Sequence, residues 1–150
     1  MTIQLADLSY RLVAWILDVI LISIITNIIF LIINPIDIWR VPFTYIDPLY
    51  WWVTNSIQFA IGFLYHWGFE SFNNGQTLGK MALKLRTVDE STMQIASKGN
   101  YALNNLFKGS ALFLVDLIIG FFVSYDSEKR KIRIMQDVSN TIVIREILDE

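Results

Sequence analysis

The sequence of 150 residues contains no cysteine and a single histidine. Without cysteine, disulfide bonds, thiolate zinc sites and thiol chemistry are excluded, and one histidine alone does not complete a zinc site. Twelve basic and 14 acidic residues give a net charge of −2, a balance that does not indicate a nucleic-acid partner. No serine–histidine–aspartate order, paired catalytic acids or glycine-rich cofactor fingerprint stands out either. We therefore expect no enzyme, no metal and no cofactor.

Charge is also scarce along two long stretches of the chain. The run Leu12–Ile33 has Asp18 as its only charged residue, and Leu49–Phe69 contains no Asp, Glu, Lys or Arg. At ~1.5 Å of rise per residue, each run is long enough as a helix to cross a hydrocarbon core of ~30 Å. The sequence therefore predicts transmembrane helices over about 10–33 and about 49–69.

The polar parts of the chain lie between and after these runs. The region between Glu70 and Lys108 is rich in lysine and arginine, which places it on the cytoplasmic side by the positive-inside rule. Within a turn and strand over 73–90, the residues of Met81–Val88 alternate between apolar and basic. The basic tail over 126–150 contains a β-branched partner for that strand, Thr141–Ile147. Paired strands share one side of the membrane, so both termini are expected in the cytoplasm.

The third apolar run, Gly109–Tyr125, is short and contains Asp116. We expect a re-entrant hairpin of half-helices broken near Gly109–Ser110, or one deeply embedded helix, over about 101–125. A plain third crossing stays the alternative. The expected fold class is an all-α membrane protein, a small helical bundle with two transmembrane helices, this third segment and a minor cytoplasmic β-ribbon. It forms a single domain over 1–150.

Ionisable groups inside membrane segments are costly and are functional candidates. Asp18 is either a proton- or cation-binding carboxylate or a structural lock that specifies helix packing. Arg11 lies two turns earlier on the same helix face, and Asp116 is a second intramembrane acid. These three are the candidate ion-binding residues, although they also suit a charge-balanced bundle.

A polar stripe on the second helix supports this site. Asn55, Gln58, Gly62 and His66 are spaced i, i+3, i+7 and i+11, so they share one face that either meets Asp18 or joins helices by ordinary polar contacts. We expect His66 to snorkel towards the membrane surface.

Two charges are expected at the inner end of the second helix. Glu70 should lie level with Arg11 and form an ion pair with it, and Lys80 should lie near Glu70 at the headgroup level. Both are supporting candidates for the site.

Three motifs occur in order along nearly the whole chain. They are Arg11-x6-Asp18, Gly75-Gln-Thr-Leu-Gly-Lys80 leading into Leu83-Lys-Leu-Arg86, and Gln136-Asp137-Val-Ser-Asn-Thr141-Ile-Val-Ile144. Together they resemble the RDD family of small integral membrane proteins, named for one arginine and two aspartates. The resemblance implies Asp18 and Asp137 as the two aspartates, and Asp116 as an acid found in part of the family.

One position departs from the family pattern. Many members begin the third segment with an Arg-Asn pair, where this chain has Asn104 and Asn105, so a basic role there has either moved to Lys108 or been lost. The resemblance implies transport of unidentified ligands, and some members resemble sodium/proton antiporters.

The functional expectation joins these observations. We expect a multi-pass protein of the cell membrane that binds or transports a small cation or proton-coupled solute through its intramembrane carboxylates. The alternative is a non-transporting scaffold or adaptor that recruits a partner through its cytoplasmic face. So few spans hardly enclose a pathway, so a transporter is expected to be a homo-oligomer in the lipid bilayer. A cavity that reaches Asp18 favours transport, and a dry, fully paired Asp18 favours the scaffold.

Overall fold

The computed structural model describes residues 2–33, 48–110, 112–123 and 131–147. The loop between the two long apolar runs and parts of the predicted tail, 126–130 and 148–150, lie outside these ranges. The described part is mostly helical, with six helices and three strands. In chain order these are β1 (Thr2–Leu5), α1 (Leu8–Ile33), α2 (Pro48–Phe72), α3 (Leu78–Ala82), β2 (Leu85–Asp89), α4 (Lys98–Asn105), α5 (Leu112–Val123), α6 (Ile134–Val138) and β3 (Thr141–Ile147).

Helix α1 is long and apolar enough over Leu8–Ile32 to cross a membrane. One stripe of it is buried against the rest of the protein, namely Ala14, Asp18, Ile22 and Thr26 at intervals of four residues. The other faces expose isoleucine, leucine and valine along the whole helix. An apolar surface of this extent is typical of a helix that contacts lipid.

Helix α2 is as long as a membrane span but less apolar than α1, because its sequence includes Thr54, Asn55, Ser56 and Gln58. Among the described residues, α1 is the one helix whose length and composition together meet the requirement for a span. The second predicted transmembrane helix therefore has the expected length, and its crossing of the bilayer stays a prediction.

The three strands form one antiparallel sheet in the order β1-β3-β2. The predicted pairing of the strand after the Gly75 turn with the C-terminal strand is confirmed, with Leu85 opposite Arg145. The sequence analysis missed β1, whose Thr2 pairs with Ile147, so the expected ribbon is a three-stranded sheet. Four residues are too few for a periodic pattern to stand out in the sequence.

The sheet packs on the first turns of α1 through a small apolar cluster of Ala6, Ala14, Leu85 and Val143. Because β1 precedes α1 and β3 follows α6, the two ends of the described chain lie in one sheet. Asp18, one turn beyond Ala14, is therefore close to this junction rather than far out along the apolar helix.

The third apolar segment, predicted over 101–125, consists of two helices, α4 and α5, joined by a turn over 106–110. The described part of α5 has twelve residues, ~18 Å of helix. Whether this segment is re-entrant, embedded or a third crossing stays a prediction.

The turn between α4 and α5 is held against α2 by two glycines. A Cβ atom on Gly62 would lie 2.6 Å from the Cα of Gly109, and one on Gly109 would lie 2.6 Å from the carbonyl oxygen of Phe59. Only glycine permits this approach of the two backbones. The contact brings the residues beside Gly109 next to α1 and α2.

The shared sheet generates a test of topology. Single-cysteine variants Gln4→Cys, Met93→Cys and Asp137→Cys, each at an exposed position, should react with a membrane-impermeant maleimide from the same side of sealed vesicles. Trp52→Cys, near the start of α2, is the control and should not share that accessibility. The native chain contains no cysteine, so the background is zero. Labelling of Gln4→Cys and Asp137→Cys from opposite sides would contradict the fold.

Candidate functional site

The carboxylate of Asp18 is almost fully buried and accepts hydrogen bonds from two other elements. Its Oδ1 accepts from the hydroxyl of Tyr65 at 2.7 Å and from the backbone N–H of Gly79 at 2.8 Å. Its Oδ2 accepts from the hydroxyl of Thr77 at 2.6 Å. All three donors are neutral, and each stabilises the ionised carboxylate in a site away from water. The geometry supports the structural-lock interpretation of Asp18.

The loop that carries two of these donors fits closely onto α1. Thr77 is the N-cap of α3, because its side chain accepts from the backbone N–H of Lys80 at 3.4 Å. A Cβ atom on Gly79 would lie 2.2 Å from the carbonyl oxygen of Ala14 and 2.9 Å from Oδ1 of Asp18. Glycine at this position therefore lets the backbone of α3 touch α1. The motif Gly75–Lys80 therefore attaches α3 to α1.

Glu70 is the centre of a second polar cluster and has no exposed surface. Its Oε1 contacts the ammonium groups of Lys80 at 2.5 Å and Lys108 at 3.0 Å. Its Oε2 accepts from the side-chain amides of Asn104 at 3.2 Å and Asn105 at 2.9 Å. The sequence analysis expected Arg11 as the partner of Glu70, whereas the structure places two lysines and two asparagines on this carboxylate. The expected proximity of Lys80 is confirmed.

Lys108 contacts the same carboxylate as Asn104 and Asn105, and whether it replaces a basic role at those two positions stays a prediction. With both lysines protonated, two ammonium groups and one carboxylate give the Lys80–Glu70–Lys108 group a charge of +1, from +2 and −1. Burial lowers the pKa of Lys108 below its usual value, although Glu70 acts in the opposite direction. Lys108 therefore releases its proton more readily than an exposed lysine does.

Asp116 is buried and paired with an arginine that the sequence analysis did not single out. Nη1 of Arg133 lies 3.3 Å from Oδ2 of Asp116, and the backbone N–H of Met135 donates to Oδ1 at 3.0 Å. The same guanidinium donates to the side chain of Asn104 at 2.6 Å. The only signal available in the sequence was that a buried acid needs a cation. The sequence contains twelve lysines and arginines, so this signal did not identify Arg133 as the partner.

Asp137, the second aspartate implied by the resemblance, is not brought together with Asp18. Its side chain is 65% exposed and contacts Lys131 at 3.1 Å, and Lys131 also contacts Glu90 at 2.6 Å. Exposed ion pairs of this kind contribute little to stability. This aspartate belongs to the surface where α6 meets the end of β2.

Two cavities adjoin the charged clusters. The small cavity has a volume of about 50 Å³. The large cleft has about 340 Å³ and lies between α1 and α2. Asp18, Arg11 and His66 are among the residues that line the small cavity, and Asn55, Gln58 and Gly62 are among those that line the large cleft. The predicted polar stripe therefore faces α1 through both cavities.

Two residues line both cavities and so form the wall between them. They are Trp15 of α1, whose ring stacks on Phe113 with centroids 4.7 Å apart, and Lys108.

His66 does not snorkel as predicted, because its side chain is buried, with 1% exposed. Neither ring nitrogen of His66 has a hydrogen-bond partner among the described residues, and the same is true of Nε1 of Trp15. Buried polar atoms without partners are rare in folded proteins and call for an explanation. No pattern in the sequence indicated this burial, since an amphipathic residue near the end of a span normally reaches the surface.

Comparison with known families adds one finding. A model of the RDD family matches residues 5–138, which include Arg11, Asp18, Glu70 and Asp137. Comparison with curated proteins and with solved structures finds no match.

Asp18→Asn should lower the free energy of unfolding by about 1–3 kcal/mol, because the amide nitrogen cannot accept the bond from Thr77. The matched control Asp137→Asn, which alters an exposed ion pair, should change it by less than about 1 kcal/mol. Thermal unfolding in detergent measures both. Equal effects would show that Asp18 does not lock α3 onto α1.

Gly79→Ala should be strongly destabilising, because its Cβ has no room beside the carbonyl oxygen of Ala14. The matched control is Gly99→Ala in α4, where the nearest atom to a Cβ lies at 3.8 Å and alanine favours the helix by about 1 kcal/mol. We expect a lower unfolding temperature for the first variant and an unchanged or higher one for the second. A Gly79→Ala protein as stable as the wild type would refute the close contact of α3 with α1.

Proposed function

Because the chain belongs to the RDD family, we propose that it is a multi-pass protein of the cell membrane that binds and moves a small, proton-coupled solute between α1 and α2. The observation that carries the proposal is that Trp15 and Lys108 line both cavities. A solute in the large cleft is then one side chain away from the charged small cavity.

The membrane arrangement rests on three features. Helix α1 has the length and composition of a span, and α2 has a similar length. The single sheet that holds both ends of the described chain supports an even number of crossings. With the basic middle region inside, both termini are proposed to be cytoplasmic.

The group that exchanges a proton in this proposal is Lys108 rather than a carboxylate. Asp18 accepts hydrogen bonds from three neutral donors, and Asp116 accepts them from Arg133 and a backbone N–H. Releasing either acid would break contacts that hold elements together. Lys108 lines both cavities, and burial lowers its pKa, which favours proton release from this side chain.

We also propose that the working unit is a homo-oligomer. Two long helices do not enclose a pathway alone, and intramembrane solute sites are commonly built at the interface of repeats or subunits. The exposed polar residues Asn55 and Gln58 support this proposal. In a second subunit they would find partners that lipid does not offer.

The alternative is a membrane scaffold that recruits a partner and transports nothing. The observation that favours it is the closed set of bonds around Asp18, which is what a carboxylate used only for packing would show. A structural Asp18 is compatible with either function, and the two cavities support the first of them.

Proteoliposomes test the proposal directly. With sodium or potassium chloride and an imposed pH gradient, the wild type should move protons with the solute, as read by a pH-sensitive dye inside the vesicles. Lys108→Gln should reduce this flux at least tenfold, on the order of what loss of a general acid–base group causes. Lys98→Gln is the matched control, because Lys98 of α4 lies over the ring of Phe72 at the end of α2. No flux above empty vesicles in any gradient would favour the scaffold.

A further inference from the structure

The small cavity has an uneven set of charges on its wall. Four cationic side chains line it, from Arg11, Lys80, Lys108 and Arg133, whereas Asp18 is the one carboxylate among the described lining residues. Asp18 already accepts three hydrogen bonds, so its oxygens have little capacity left for a ligand. Arg133 pairs with Asp116, but Lys80 and Lys108 share one carboxylate, so the Lys80–Glu70–Lys108 group leaves one positive charge beside the cavity when both lysines are protonated.

The wall also carries polar atoms with no partner among the described residues. The indole N–H of Trp15 is buried and can only donate a hydrogen bond. His66 is 1% exposed, and its imidazole has at least one N–H without an acceptor. Donors left unsatisfied in a buried site are costly unless a ligand or water accepts from them.

We propose that the small cavity is a binding site for a small inorganic anion of the size of chloride or nitrate. This inference rests on the proposed function, because it identifies the solute that enters from the large cleft. The anion accepts from the indole of Trp15 and from His66. It also supplies the negative charge that the Lys80–Glu70–Lys108 group lacks.

The volume and the chemistry select this ligand class. About 50 Å³ holds only a few water-sized groups, which excludes organic solutes of metabolite size. A metal cation would be repelled by the positive charge of the Lys80–Glu70–Lys108 group, and the carboxylate of Asp18 already accepts three hydrogen bonds. Water alone satisfies the donors but does not balance the charge of the lysine pair.

Binding of the anion is coupled to the charge on Lys108. The groups that face Lys108 from neighbouring elements are Glu70 and His66 of α2, Lys80 of α3, Arg133 before α6, and Arg11 and Asp18 of α1. The protonated lysine attracts the anion, and the bound anion favours the protonated lysine, since linkage is reciprocal. Affinity should therefore be higher when Lys108 is protonated and should fall as the pH rises.

The experiment measures anion binding to the full chain in detergent by calorimetry. Sodium chloride, choline chloride and sodium nitrate are titrated at constant ionic strength into protein kept in sodium gluconate. The expected result is saturable binding that follows the anion and not the cation, at least tenfold weaker at pH 9 than at pH 6. Binding that requires sodium, or no saturable binding at pH 6, would overturn the proposal.

Variants locate the site. Trp15→Phe removes the N–H and keeps a ring that stacks on Phe113, and it should weaken chloride binding about tenfold or more, as loss of a hydrogen bond to a charged group does. Trp67→Phe is the matched control, because the indole of Trp67 donates to the carbonyl of Lys98 at 3.1 Å and lies outside the cavity lining. Equal effects of the two substitutions would refute the site.

Lys108→Arg separates charge from proton exchange. Arginine stays protonated across this pH range, so the variant should bind chloride with equal affinity at pH 6 and pH 9. If the variant keeps the wild-type pH dependence, the coupling to Lys108 is wrong. Saturable binding without flux in proteoliposomes would contradict the proposed transport and leave the anion site standing. Flux without chloride or nitrate binding would contradict the anion site and leave the proposed transport standing.

Discussion

The hydrogen bonds on the carboxylate of Asp18 are the interaction on which the rest of the structure depends. A charge buried beside an apolar helix is stable only when its oxygens are satisfied, and three donors from α2 and the start of α3 do this. Their bonds fix α1, α2 and α3 relative to one another. Gly79 then allows the backbones of α1 and α3 to touch, and the sheet that follows α3 covers the first turns of α1.

The other buried acids also form contacts that hold elements together. Glu70 joins α2 to α3 and to the turn after α4 through Lys80 and Lys108, and Asp116 joins α5 to Arg133 in front of α6. Each acid therefore connects elements that are far apart in the sequence. The surplus of positive charge beside the small cavity follows from this use of the acids, because Glu70 neutralises one lysine and not two. The pairing of the buried acids therefore explains both how the elements pack and which charge the proposed ligand would balance.

The cavities lie where this charged junction meets the apolar part of α1 and α2. The contact of Gly62 with Gly109 places Lys108 between the large cleft and the small cavity, where Trp15 approaches it from α1. The turn over 106–110 is partly buried against α2, and its glycine contact keeps Lys108 beside α1.

The sequence by itself determined the long apolar helix with its single acid, the helical spacing of the polar stripe, and the pairing of β2 with β3. Each of these follows from a local pattern, a run of apolar residues or a period of 3.6 or 2. It also indicated the RDD family through three short motifs. Only the tertiary structure decided what each charge does. Asp18 accepts hydrogen bonds from residues 47 to 61 positions away. The cations that contact Glu70 and Asp116 include Lys108 and Arg133, which sequence neighbourhood does not indicate as their partners. Burial of His66 and the wall shared by the two cavities likewise arise from side chains of several elements meeting in space, which no local pattern encodes.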